Sequence, residues 1–331
     1  MTFDFWQNNY RLQRQLEDVE KVILKNIHSR EAMLTEAATA LTTAGGKRLR
    51  PALVLLGADF GPKPSQNLAN VAAAVEILHM ATLVHDDIID EARYRRGKIT
   101  THERFGKDVA VYTGDYLFTR CLLLLADCRG VEHMTQVAKA MKVICESEVY
   151  QHTQRYNVNT SVRQYLRKIK GKTAALFAMS AALGATESEA AQDIVQKLSR
   201  FGSHLGMAFQ IRDDILDFTA SAAELGKPTS TDMRKGNFTL PVIYALQSSG
   251  RRKLRHILIQ PHISPDDWEQ ATALVMESDG ISKSGQMLER YCQKARKELN
   301  LLQPSLAVDT LSWLVDNLTL SPADIYNTRP A

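Results

Sequence analysis

Apolar residues recur at three- and four-residue spacing through nearly the whole chain, and runs of strict alternation are scarce. That is the period of helices with one buried face, not of half-buried strands. The pattern predicts helices over residues 6–26, 30–43, 50–57, 66–89, 108–126, 131–156, 161–183, 187–218, 240–248, 265–276, 281–302 and 305–317. Between them fall Gly45-Gly46, Gly61-Pro62-Lys63-Pro64, Gly184, Gly226-Lys227-Pro228 and Ser248-Ser249-Gly250, short punctuation and not linkers. No low-complexity tract divides the chain, and no repeat of solenoid period is present. An Asp-rich cluster closes a long apolar helix in each half. The expectation is an all-α fold, a single domain over residues 1–331 with a central cavity lined by both clusters.

Composition changes little in that picture. With 331 residues, 44% hydrophobic and 24% charged, the chain has ample sequence for a large core. The formal charge of +4 is spread along the chain and not gathered in a tail, which argues against a nucleic-acid role and suits a small acidic ligand. The start, Met1-Thr2-Phe3-Asp4-Phe5-Trp6-Gln7, has no basic leader and does not read as a signal peptide. The apolar stretch 174–185, interrupted by Ser180, is too short to span a bilayer, so a soluble, cytoplasmic protein is expected. Cys121, Cys128, Cys145 and Cys292 form no CxxC pair and read as buried reduced thiols.

The candidate chemistry lies in the two clusters. In Asp86-Asp87-Ile88-Ile89-Asp90, positions 86 and 90 are one helical turn apart, so their carboxylates share a face. Asp213-Asp214-Ile215-Leu216-Asp217 repeats the arrangement. Like charges at that spacing destabilise a helix unless a cation sits between them. Converging carboxylates hold Mg2+ through oxygen and leave positions for water and phosphate. One such cluster is more often a solvated face; two, each ending a helix apolar enough to be buried, point to metal.

Cations complete the pattern. Gly45-Gly46-Lys47-Arg48-Leu49-Arg50-Pro51 sets a turn before a helix, with Lys47 and Arg50 on one side, an arrangement suited to phosphate. Arg95-Arg96-Gly97 follows the first cluster, and Lys172-Thr173 and Lys227 add donors. Arg167, Lys168 and Lys170 read as solvated surface charges. Gly171-Lys172-Thr173 imitates the end of a P-loop, but Leu166 stands where that motif needs glycine and the segment reads as helix, which excludes a nucleotide-binding loop.

GGKRLRP at 45–51, LVHDDIIDEARYRRG at 83–97, KGKTAALF at 170–177, AFQIRDDILDF at 208–218 and ELGKPTSTDMRKGN at 224–237 together resemble the trans-isoprenyl diphosphate synthases, in that family's order. The resemblance runs to the bacterial medium- and long-chain synthases, including the large subunit of heptaprenyl diphosphate synthase. It implies an all-α barrel of about ten core helices, the isoprenoid synthase fold. It further implies a homodimer, with a small accessory subunit as an alternative partner. Carried over by position, Asp86, Asp90 and Asp213, with Asp87, Asp214 and Asp217 close by, hold Mg2+, about three ions once substrate is bound. Arg95, Lys172, Thr173, Gln210 and Lys227, joined by Lys235, bind the allylic diphosphate. Lys47, Arg50, His79 and Arg96 bind isopentenyl diphosphate. A lone His on an apolar helix is more often a packed core residue, but His79 lies two turns before Asp86 on nearly the same face. The implied reaction is head-to-tail condensation, in which metal and cations, Lys172 among them, stabilise the departing diphosphate and no protein nucleophile is needed.

Chain length becomes a steric question. One isoprene unit spans about 5 Å, close to the rise of one helical turn, about 5.4 Å. Ala81 and Thr82 lie one turn before Asp86 and Leu78 two turns before. Both nearer residues are small, where short-chain members often carry aromatics. A tunnel open to about six to eight units is expected, about seven as the central value, its floor near Tyr116, Phe118 and 122–125. The rivals are a farnesyl or geranylgeranyl synthase, a non-catalytic subunit, and a terpene cyclase, which lacks the second cluster.

Overall fold

The computed structural model describes residues 4–6, 9–219, 230–248 and 250–319. Lys227 and most of the loop that carries it lie outside the described residues. The helices are α1 (Tyr10–Asn26), α2 (Ala32–Thr42), α3 (Leu49–Ala58), α4 (Leu68–Ile89), α5 (Thr101–Phe105), α6 (Lys107–Ala126), α7 (Val131–Thr153), α8 (Val162–Ile169), α9 (Ala175–Glu187) and α10 (Gln192–Thr219). There follow α11 (Thr231–Arg234), α12 (Leu240–Ala245), α13 (Arg251–Leu258), α14 (Pro265–Met276), α15 (Gly280–Leu299) and α16 (Leu306–Thr319). Among the described residues, the sheet is one antiparallel hairpin, β1 (Tyr94–Arg95) with β2 (Lys98–Ile99). The all-α class is as the periodicity predicts. The hairpin and the short helices α5, α11 and α13 are not foreseen; the hairpin, α5 and α11 are too brief to carry a period.

By contact the chain forms two compact units: residues 1–139 with 179–199, and residues 140–178 with 200–331. In the first, α1 buries Leu12, Leu16, Val19 and Ile23, one stripe at helical spacing, each contributing about 1.5–3 kcal/mol by leaving water. Its start is fixed by Asn9, whose Oδ1 accepts the Leu12 N–H at 3.0 Å. α4 is apolar nearly all round and is buried accordingly through Val71–Leu78 and again at Met80, Ala81 and Val84, packed along α6, α3 and α1. By length and composition α4 and α6 could each cross a bilayer, so 174–185 is not the most membrane-like stretch; burial within its own unit accounts for most of α4.

Gly184, expected to break a helix, lies inside α9. A Cβ there would run into the carbonyl of Val54, so the residue type is set by the close approach of α9 to α3. Beneath this crossing, Glu187 accepts from Ser65 Oγ at 2.5 Å and meets His133 Nε2 at 2.6 Å, both ionisable groups buried.

In the second unit α15 packs against α12 and α16. The predicted helix 161–183 is really α8, a π-helical turn over Lys170–Ala174, and α9. α8 opens on a capping box in which Ser161 and Gln164 exchange hydrogen bonds, and α14 opens on another between Ser264 and Asp267 with Pro265 in its first turn. The cysteines correct the expectation in part: Cys121 and Cys292 are buried, but Cys128 is half-buried and Cys145 exposed, all four as free thiols. Burial pushes Cys121 and Cys292 up to about 12, which keeps them protonated and unreactive.

Candidate active site

The first cluster occupies the last turn of α4. Asp90 closes the helix, its N–H donating to the Asp86 carbonyl at 2.8 Å, so the two residues stand one turn apart as predicted. That turn contains no basic residue. Carboxylates here face both each other and the negative end of the helix dipole, an arrangement that calls for a cation from outside the helix. Asp86 and Asp90 are half-exposed. Asp87 is not: it is 2% exposed. Its two oxygens accept Arg95 Nε at 2.9 and 3.0 Å, and Arg95 Nη2 approaches Oδ1 at 2.7 Å.

The hairpin brings the cations. Arg96 takes a left-handed backbone at φ 51° and Gly97 one at φ 74°, the tight reversal that returns β2 beside β1. A cavity of about 330 Å³ opens between α2, α4, the hairpin and α5, and on its wall His79, Asp87, Arg95 and Arg96 meet Met80 and Leu83. Burial, and then the Arg50 and Arg96 guanidiniums, hold the His79 imidazole well below its ordinary range, so it is neutral at pH 7. The cavity joins four predicted ligands; Lys47 and Arg50 are not among its lining residues.

Lys47 instead projects from the loop 43–48, which is anything but slack. The Thr42 carbonyl accepts Arg48 Nη2 at 2.7 Å, Thr43 accepts Lys98 Nζ at 3.0 Å, Gly45 accepts Arg96, and Lys47 accepts the Trp6 indole at 2.7 Å. Arg48 is the centre of this clamp: buried, left-handed at φ 48°, and paired with Glu20 at 2.7 Å and Glu76 at 3.0 Å. Sequence reading passed over Arg48 because its partners lie 28 residues away on either side.

The second cluster repeats the first at the end of α10, again with no base in the last turn. Asp213 is exposed, whereas Asp214 and Asp217 are buried. Asp214 accepts Tyr165 O–H at 2.5 Å and Gln210 Nε2 at 2.9 Å, and Thr173 Oγ1 donates to Gln210 Oε1 at 2.7 Å. Burial, and then the Asp232 carboxylate, raise Asp214 to about 7 against the pull of those donors. Asp217 Oδ2 accepts the Asp232 N–H at 3.3 Å. Lys172, in the π turn, is held by both oxygens of Glu148 at 2.9 Å. Lys235, just past α11, is half-exposed. Arg167 and Lys170 are exposed as expected, but Lys168 is not a plain surface charge: it is half-buried over the Tyr165 ring at 5.6 Å, and burial lowers its pKa in spite of Asp214 and Asp232 nearby.

Residues 31–275 match the family model described as polyprenyl synthetase. The chain belongs to the polyprenyl synthetase family. This polyprenyl synthetase is 41% identical over 284 residues to heptaprenyl diphosphate synthase component 2 of Geobacillus stearothermophilus, covering 86% of this chain and 88% of the relative. Its fold matches the polyprenyl synthase of Caulobacter crescentus complexed with calcium and isoprenyl diphosphate, with a TM-score of 0.90 at 31% identity over 96% of this chain and 97% of the other. It matches geranylgeranyl pyrophosphate synthase of Lactobacillus brevis equally well, with a TM-score of 0.89 at 30% identity over 96% and 99%.

The donors of this synthetase suit a hard divalent cation, which takes oxygen ligands. Among the described residues no three acidic or metal-binding side chains close round one point. Protein donors meet the buried carboxylates. The six predicted ligands therefore divide by burial into half-exposed or exposed Asp86, Asp90 and Asp213 and buried Asp87, Asp214 and Asp217. Tyr165, the partner of Asp214, and Glu148, the partner of Lys172, give no local signal in the sequence; only the fold brings them to these residues.

Proposed function

We propose that this polyprenyl synthetase is a prenyltransferase that condenses isopentenyl diphosphate head-to-tail onto an allylic diphosphate with Mg2+. The observation that carries the reading is the pair of carboxylate clusters, each near the end of a long helix, with Asp86 and Asp90 half-exposed and Asp213 exposed. Asp86 and Asp90 on α4 and Asp213 on α10 are the proposed metal ligands. Asp87, Asp214 and Asp217 hold Arg95, Gln210 and the α11 backbone in place behind them. Bound Mg2+ would neutralise charge on the leaving diphosphate.

The remaining work falls to the chain itself. Arg95, Lys172, Thr173, Gln210, Lys227 and Lys235 are the proposed donors to the allylic diphosphate, and Lys47, Arg50, His79 and Arg96 those to isopentenyl diphosphate. Neutral His79 offers one N–H and leaves the charge to its arginine neighbours. As the allylic C–O bond breaks, the isopentenyl double bond attacks the cation and a proton leaves to the released diphosphate. Apolar walls exclude the water that would quench the cation.

A product of about six to eight isoprene units is favoured by small Ala81 and Thr82 one turn beneath Asp86. The name of the Geobacillus relative supports the same range and, as a component, supports pairing with a second polypeptide; a homodimer is the simpler assembly. The geranylgeranyl synthase likeness shows that fold alone does not set length. The test incubates purified protein with isopentenyl diphosphate, an allylic starter and Mg2+, alone and with a candidate small component, and measures product length by mass spectrometry. No condensation in either case would sink the reading.

A further inference from the structure

One donor to the loop 43–48 comes from far outside it. The indole of Trp6, in a short helical turn before α1, donates to the Lys47 carbonyl at 2.7 Å across 41 residues of sequence. Its neighbour Phe5 carries the Lys47 ammonium over its ring at 4.9 Å. The two aromatics meet edge to face with centroids 4.9 Å apart, and Trp6 is 2% exposed. Trp6 is thus anchored in the first unit, Phe5 is braced against Trp6, and the pair holds both the backbone and the charged tip of an otherwise exposed lysine.

We infer that Phe5 and Trp6 are positioning residues for Lys47, a latch that sets this cation in advance for the diphosphate of isopentenyl diphosphate. The inference rests on the assignment of Lys47 to that diphosphate under Proposed function. A long lysine side chain on an exposed loop loses rotamer freedom when it closes on an anion, and prior restriction reduces that loss. A ring face attracts an ammonium without itself carrying a neutralising charge. The indole does for the backbone what Arg48, Lys98 and Arg96 do at Thr42, Thr43 and Gly45, so the loop is fixed along its length.

The test measures isopentenyl diphosphate affinity by calorimetry in EDTA, where no turnover occurs, for the intact chain and for F5L, W6F, K47A and F5L/K47A. F5L keeps apolar bulk and removes the ring; W6F keeps burial and removes the donor. F5L is expected to weaken binding about two- to five-fold. W6F is expected to weaken it similarly, and F5L to add nothing once Lys47 is gone. In turnover, the KM for isopentenyl diphosphate rises with kcat and the allylic KM unchanged. Unaltered affinity in F5L would overturn the latch, as would an F5L effect that persists in the K47A background, since the ring would then act through the fold. A protein that binds isopentenyl diphosphate through Lys47 yet condenses nothing would refute the synthase reading and leave the latch standing.

Discussion

Asp86 and Asp87 are neighbours in one motif, yet their amides are expected to fail in opposite ways. Asp86 is half-exposed at the negative end of α4, facing Asp90 one turn on. Solvent screening at that position limits what the charge contributes, so Asp86→Asn changes stability by less than about 1 kcal/mol in either direction. Asp87 has a side chain 3% exposed, and Arg95 meets it with three N–O contacts between 2.7 and 3.0 Å. Breaking a buried pair typically costs about 3–5 kcal/mol; because Arg95 is 35% exposed and can rehydrate, Asp87→Asn is placed at about 2–4 kcal/mol. Urea unfolding followed by circular dichroism reads stability, and condensation with Mg2+ reads function. Asp86→Asn abolishes turnover with the fold retained. Asp87→Asn loses stability first, and its residual turnover shows an allylic KM raised through displaced Arg95. Equal stability losses in the two variants would refute the division of the motif into a half-exposed ligand and a buried brace.

Thr82→Phe, at a half-exposed position one turn beneath Asp86, is expected to shorten the product to about fifteen or twenty carbons; unchanged product length by mass spectrometry would place the ruler on another helix. Ala81, 2% exposed, is a poorer probe because added bulk there strains the core. Gly184→Ala should cost about 1–3 kcal/mol in urea unfolding by forcing α9 off the Val54 carbonyl, whereas Gly285→Ala, with open space at its Cβ, should stabilise by about 0.4–1 kcal/mol. Burial would raise Glu187, but hydrogen bonds from His133 and Ser65 outweigh it and hold the carboxyl below its ordinary 4.5. Its contribution to stability is therefore fully present above about pH 4.5 and lost as pH falls through the lower folded value. The urea-midpoint gap between the intact protein and Glu187→Gln narrows on acidification; parallel curves would contradict this.

Much of this was legible from the chain alone because helices announce themselves by period. The bounds of α6 and α14 differ from the pattern by a residue or less, since Gly106 and the Ser264-Pro265 start are unambiguous local signals. Gly184 misled because a glycine required by helix packing is indistinguishable in sequence from one that ends a helix. The aspartates were found by spacing, but which of them are buried depends on the fold, and the buried ones meet Arg95, Tyr165 and Gln210. Of these, only the tyrosine was absent from the predicted ligands. Lys168 was misplaced for the same reason: its ring partner is three residues away, but its burial is a property of the unit.

The π turn at Lys170–Ala174 constrains how long this segment can be. Gly202 and Gly206 of α10 are fitted closely to the backbone of Phe177 and Ala174, and Gly171 to Ser147. Removing one residue from the turn would restore an α-helix with no lost ladder, yet would rotate everything beyond it by about 100° and carry Ala174 and Phe177 off their glycines. Point substitutions within the turn are therefore expected to be better tolerated than a single deletion. Conserved spacing from Tyr165 to Phe177, more than conserved identity, is what a screen of insertions and deletions through this stretch would reveal.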